Sequence, residues 1–280
     1  MRVIDVEHLG RPHVIGCWEV DGMLVDPGPE SSLHTVLEKL GDQVPEAILL
    51  THIHLDHAAA VGAMVARWPD LQVYVHERGA PHIIDPSRLL ASAERLYGDK
   101  LEYLWGRIQP VPEANVTVLA GGGETVRGMR VAYTPGHASH HVCYLHEETG
   151  TAFVGDTAAC RIPPTDLVIP PTPPPDIDVE LWEKSIDIIE AWAPEKLALT
   201  HFGMIDDPAP HLAETRSRLR EEAELARKMD EATYEADLRE RIKAQLSPEV
   251  AEEMFQAVPT AYQWSGLDRY WRKKAERESA

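Results

Sequence analysis

Residues 47–57 constrain this chain more than any other stretch. Ala47-Ile48-Leu49-Leu50-Thr51 is a continuous apolar run. Such a run reads as a buried strand covered on both faces. His52-Ile53-His54-Leu55-Asp56-His57 follows directly. An Ala-rich helix is expected from about Ala58 to Trp68, stopped by Pro69-Asp70, with a further strand over Leu71–Val75. A strand, loop, helix, strand unit of this kind belongs to α/β folds.

Imidazole and carboxylate are the usual ligands of zinc and similar metals. Four such groups stand within six residues here, just beyond a buried strand. In extended chain, side chains two apart point the same way, so His52 and His54 can share one metal. Where the chain turns into the helix, Asp56 and His57 can diverge toward a second. The bland alternative is a polar loop that happens to be rich in histidine. Three further positions repeat the pattern of a strand end followed by a ligand. His137 follows the strand Met129–Tyr133, Asp156 follows Ala152–Val154, and His201 follows Leu197–Thr200. Sites of α/β and layered folds lie at such strand ends.

The rest of the chain supplies a scaffold. Short apolar runs over Val3–Val6, His13–Val20 and Met23–Val25 read as strands, the last two joined by the hairpin signal Asp21-Gly22. Ser31 or Ser32 can cap a helix closed by Gly41. Residues 81–108 read as mainly helical, and strands resume at Val116. Patterning suggests two sheet-forming halves, roughly 1–110 and 116–203. Residues 163–175 contain seven prolines, which makes a stiff extended loop. Its apolar residues Ile162, Leu167, Val168 and Ile169 are candidates to line a substrate pocket. After His211 charged residues dominate, with Leu and Ala interspersed, and two or three helices are expected there. The domains read as 1–210, carrying the site, and 211–280, a helical extension. Trp264, Leu267, Tyr270 and Trp271 form an apolar face in the extension; packing on the core is the plainer reading, a pocket cap or homodimer contact the alternative.

The 280 residues carry a formal net charge of −19. Residues 1–210 hold 14 Lys+Arg against 31 Asp+Glu, a surface that repels phosphate backbones. Nucleic acid is therefore not expected as a partner, and a small-molecule substrate is. Three cysteines, Cys17, Cys143 and Cys160, include no C-x-x-C pair. No run of about 18 apolar residues suggests a membrane span, and the N-terminus lacks a signal-peptide core. These features favour a cytoplasmic protein without membrane attachment.

The ordered set Asp26-Pro27-Gly28, His-x-His-x-Asp-His, Gly136-His137, Gly155-Asp156 and the late His201 resembles the metallo-β-lactamase fold superfamily over about residues 1–205. The resemblance implies an α/β fold, an αββα four-layer sandwich, here with an added C-terminal helical segment. It implies that His52, His54 and His137 hold one metal, and Asp56, His57 and His201 the other, with Asp156 between them. The cofactors would be two divalent ions, zinc first, with manganese or iron also accepted by this ligand set. Two such cations about 3.5–4 Å apart make hydroxide available near neutral pH to attack a small ester, thioester or lactone. Asp56, the candidate catalytic residue, would orient that nucleophile or accept its proton while ligating.

Within that superfamily, a true β-lactamase is disfavoured, because several put cysteine or serine where Asp156 stands. The full seven-residue set is typical of the glyoxalase II, lactonase and ribonuclease Z branches. Quorum-sensing lactonases often carry tyrosine three residues past the bridging aspartate, where this chain has Ala159. Arg269, Arg272, Lys273 and Lys274 lie where glyoxalase II enzymes hold glutathione, though a solvated helix face is the plainer reading. The alternatives are an iron-dependent, sulfur-dioxygenase-like oxidoreductase and a phosphodiesterase of the same fold. His140 and His141 read as ordinary satisfied histidines, with a role beside the ligands as the alternative.

Overall fold

The computed structural model describes residues 1–279. Its elements run β1 (Arg2–Asp5), β2 (Gly16–Val20), β3 (Met23–Val25), α1 (Leu33–Leu40), β4 (Ala47–Leu49), α2 (Leu55–Ala58), α3 (Val61–Arg67) and β5 (Gln72–His76). Then come α4 (Ala80–Ile84), α5 (Ser87–Tyr97), α6 (Leu101–Trp105), β6 (Val116–Leu119), β7 (Gly122–Val126), β8 (Met129–Tyr133), β9 (Val142–His146) and β10 (Thr151–Gly155). The chain ends with α7 (Val179–Trp192), β11 (Lys196–Leu199), β12 (Gly203–Ile205), α8 (Pro208–Lys228), α9 (Glu231–Gln245), α10 (Pro248–Ala257) and α11 (Thr260–Glu278).

Two mixed six-stranded sheets result, ordered β1-β2-β3-β4-β5-β6 and β12-β11-β10-β9-β8-β7. This is the α/β class expected, with C-terminal helices added. Asp21 (φ 49°) and Gly22 (φ 76°) both take left-handed backbone, the geometry of a two-residue hairpin whose twist suits β2 and β3. From β3 to β6 the pairing is parallel. Strand β4 is buried along its length, as a central parallel strand should be. The chain divides into two compact units: Met1–Tyr133 with His140–Tyr144, and Thr134–Ser139 with the described chain from Leu145 onward.

Two expectations are corrected, and one strand is added. The first sheet does not end near residue 110. Helices α4–α6 act as a long crossover that returns the chain as β6, parallel to β5. The C-terminal tail holds four helices, because Asp230 and Ser247 each accept an amide N–H (Thr233 and Val250) and start a new helix. Strand β12 has too few residues for a periodic signal and forms by folding back on β11. No helix of the described residues is long and apolar enough to cross a membrane.

Candidate metal centre

In the first unit the apolar run ends at Leu50, and its last carbonyls are tied down. Tyr144 Oη donates to Leu50 O at 2.7 Å, and Val142 N donates to Thr51 O at 2.8 Å. Burial pushes the Tyr144 phenol well above its ordinary range, so it remains a neutral donor. The chain then turns into α2, which carries Asp56 and His57.

A single buried side chain organises this loop. Asp26, at φ 49° and fully buried, accepts Thr51 N at 2.8 Å and Thr51 Oγ1 at 2.6 Å, and its Oδ2 lies 2.8 Å from His57 Nδ1. The Thr51 hydroxyl has one proton, given to Asp26, so its oxygen accepts from His52 Nδ1–H at 3.1 Å. That assigns the lone pair of His52 to Nε2, which lies 3.0 Å from His54 Nδ1. The sequence motif shows Asp26 only as part of a turn. Its holding of Thr51 and His57 depends on a tertiary contact across 25 to 31 positions.

His140 and His141 also belong to this neighbourhood. His140 Nδ1 accepts Ile53 N at 3.4 Å, and its ring centroid is 5.6 Å from that of His54. His141 stacks on His52 at 5.0 Å. Both pack against candidate ligands, so the plainer reading understates them.

In the second unit His137 and Asp156 meet directly. His137 Nδ1 faces Pro171 O at 2.9 Å. A carbonyl can only accept, so Nδ1 carries the proton and Nε2 offers a lone pair. That Nε2 lies 3.1 Å from Asp156 Oδ2, while Asp156 Oδ1 lies 3.5 Å from His201 Nε2. Two electron-pair donors facing one another across such a distance is the arrangement a shared cation resolves. The backbone around them is fixed from behind. Gly136 sits at φ 137° with no room for a side chain: a Cβ there would lie 2.3 Å from Trp182 Cα. Trp182 Nε1 donates to Thr157 O at 2.8 Å. His211 Nε2 donates to Ala158 O at 2.7 Å. Burial holds the His211 imidazole below its ordinary pKa, so it is neutral.

Donor atoms of His52, His54, His137 and Asp156 lie within 4.8 Å of one another, and those of Asp56, His57 and His201 do likewise. Nitrogen and carboxylate oxygen in this mixture suit divalent metals. Exposure divides the set. The Asp156 and His201 side chains are 3% and 2% exposed, whereas Asp56 is 23% exposed. In the Pro-rich loop Ile162, Leu167, Val168 and Ile169 are buried, and the loop gives the centre the main-chain oxygen of Pro171.

Comparison with known proteins agrees with this geometry. The family model described as the metallo-beta-lactamase superfamily matches residues 19–201. The metallo-beta-lactamase fold-containing protein ST1585 of Sulfurisphaera tokodaii is 28% identical over 198 residues, covering 68% of this chain and 71% of that protein. A hydroxyacylglutathione hydrolase of Enterobacter sp. is 30% identical over 139 residues, which span 48% of this chain but only 41% of that enzyme. Among solved structures, the archaeal superfamily protein from Sulfolobus tokodaii superposes with a TM-score of 0.72 at 23% identity, covering 95% and 97% of the two chains. TTHA1623 in a di-iron-bound form gives 0.53 at 25% identity, covering 69% and 89%. By its matching family model, its ordered motifs and its fold, the chain belongs to the metallo-beta-lactamase superfamily.

Proposed function

We propose that the chain is a metal-dependent hydrolase with two divalent cations, most simply zinc, acting on a small ester, thioester or lactone. The observation that carries this reading is the pair of ligand sets, whose donors come within 4.8 Å of one another. His52, His54, His137 and Asp156 would hold one cation. Asp56, His57 and His201 would hold the other, with Asp156 also presenting an oxygen to that side. When bound, such a pair lowers the pKa of water at the site and polarises a carbonyl oxygen. The protein's own part is to aim and to exclude. Asp26, Thr51 and Pro171 fix the tautomers of His57, His52 and His137, so that the Nε2 of each offers its lone pair to a cation. Asp56 is the more exposed carboxylate, and its Oδ2 is positioned to orient the attacking water and take its proton. The relatives named hydroxyacylglutathione hydrolase support an acyl substrate, although the match spans about two-fifths of their length. The acidic surface supports a small molecule rather than nucleic acid or an anionic membrane as partner. A cytoplasmic setting belongs to the same reading.

The neighbour solved in a di-iron-bound form supports iron as an alternative metal, and the second reading is an iron-loaded centre with oxidoreductase chemistry. Elemental analysis followed by a panel of esters, thioesters, lactones and phosphodiesters separates the two. Two metals per chain and acyl hydrolysis are expected, with Asp56→Asn lowering turnover by about 10²–10⁴-fold, the usual worth of a positioned base. Oxygen consumption without hydrolysis would transfer the assignment to the second reading. A protein that binds no metal on reconstitution would defeat both.

A further inference from the structure

Helix α11 reaches the metal centre through one peptide group. Residues 170–175 read Pro-Pro-Thr-Pro-Pro-Pro, so Thr172 owns the only amide N–H in six positions. That N–H donates to Gln263 Oε1 of α11. The Thr172 hydroxyl reinforces the grip, 3.0 Å from Gln263 O and 3.1 Å from Gln263 Oε1. Gln263 is itself oriented, since its Nε2 donates to Pro259 O at 2.9 Å. Both residues are almost fully buried. The helix also comes as close as backbone allows: a Cβ on Gly266 would lie 2.1 Å from Thr172 O.

The carbonyl on the other side of that amide is Pro171 C=O, the acceptor for His137 Nδ1. The peptide unit is planar, so fixing its N–H fixes its oxygen. Hydrogen bonds at the two ends of one amide also polarise each other. A proline stretch without other donors cannot make that bond from within. Its position must come from elsewhere, and α11 supplies it.

We infer that α11 is a positioning element for His137, with Gln263 acting through the Pro171–Thr172 peptide. This rests on the two-metal reading above and adds a role for the extension to it. The partner of that His137 nitrogen sets ring orientation and basicity, and loss of such partners weakens metal affinity.

Titration of the full chain with Co(II), read by visible absorption and by chelator competition, tests this. In Gln263→Leu, one of the two cobalt affinities is expected to fall about tenfold with an altered ligand-field spectrum, the other staying near wild type. Gln263→Glu keeps an acceptor for the Thr172 N–H and is expected to recover most of that loss. Thr172→Val removes only the hydroxyl contacts and gives a smaller change of the same kind; it decides the matter if the leucine variant does not fold. Glu276→Ala, exposed on the same helix, is the control. Wild-type affinities and spectra in folded Gln263→Leu, or in Thr172→Val if that variant is unfolded, overturn the inference. So does an equal loss in Gln263→Glu, which would mark simple packing. Wild-type chain that takes up no cobalt sinks the two-metal reading and this inference with it.

Discussion

The two groups of candidate ligands are supported in opposite ways. His52, His54, Asp56 and His57 lie within six positions, and two of them lean on one carboxylate, Asp26, directly or through Thr51. His137, Asp156 and His201 are spread between residues 137 and 201, and each is held through main chain. Pro171 O takes His137, Trp182 and His211 grip the two carbonyls after Asp156, and Arg161 N donates to His201 O at 2.7 Å. A clustered set can share one hub; a dispersed set needs a separate anchor for each member. Damage should therefore be concentrated in the first region and divided in the second.

Substitution of the hub should do the most harm. Asp26→Asn retains a residue type that tolerates left-handed backbone but removes the charge and half of the acceptor capacity. Metal affinity is expected to fall about 10–100-fold, measured by chelator competition, with both sites affected. A loss confined to one site would show that Asp26 is not shared. Trp182→Phe should cost less. It removes one hydrogen bond behind Asp156, worth about 1 kcal/mol of stability in denaturant unfolding, and is expected to lower metal affinity less than Asp26→Asn does. A loss of metal affinity as large as that of Asp26→Asn would erase the contrast.

The smallest effect concerns His211. Its folded pKa lies below the ordinary 6.5 because burial disfavours the imidazolium. The unfolded chain therefore binds the proton first as pH falls, and stability drops from about pH 6.5 downward until the folded pKa is passed. Thermal unfolding of His211→Asn should show a flatter acid limb than wild type. An unchanged slope would mean that the imidazole is not held neutral against Ala158 O.

Residues 52–57 were legible because the signal is local: four ligand-type side chains at the end of a run apolar enough to be a strand. His137, Asp156 and His201 were legible only as an ordered set, since a single histidine or aspartate after a strand is ordinary. Most strands and the hairpin at Asp21-Gly22 followed from alternation and turn chemistry. What escaped was tertiary. The hydrogen bonds of Asp26 cross 25 to 31 positions, and those between Thr172 and Gln263 cross 91. The place of β6 in the first sheet was hidden because a strand's sequence does not say which neighbour it will choose after a long helical crossover.

Gly266 sets how closely α11 can approach the loop. With backbone nearly touching backbone there, each added methyl must push the helix outward or bend the loop inward. Alanine there would already have to displace the helix or the loop that carries Pro171 O, the partner of His137. A small side chain at this one position of the helix would thus be felt at a candidate ligand that it never touches.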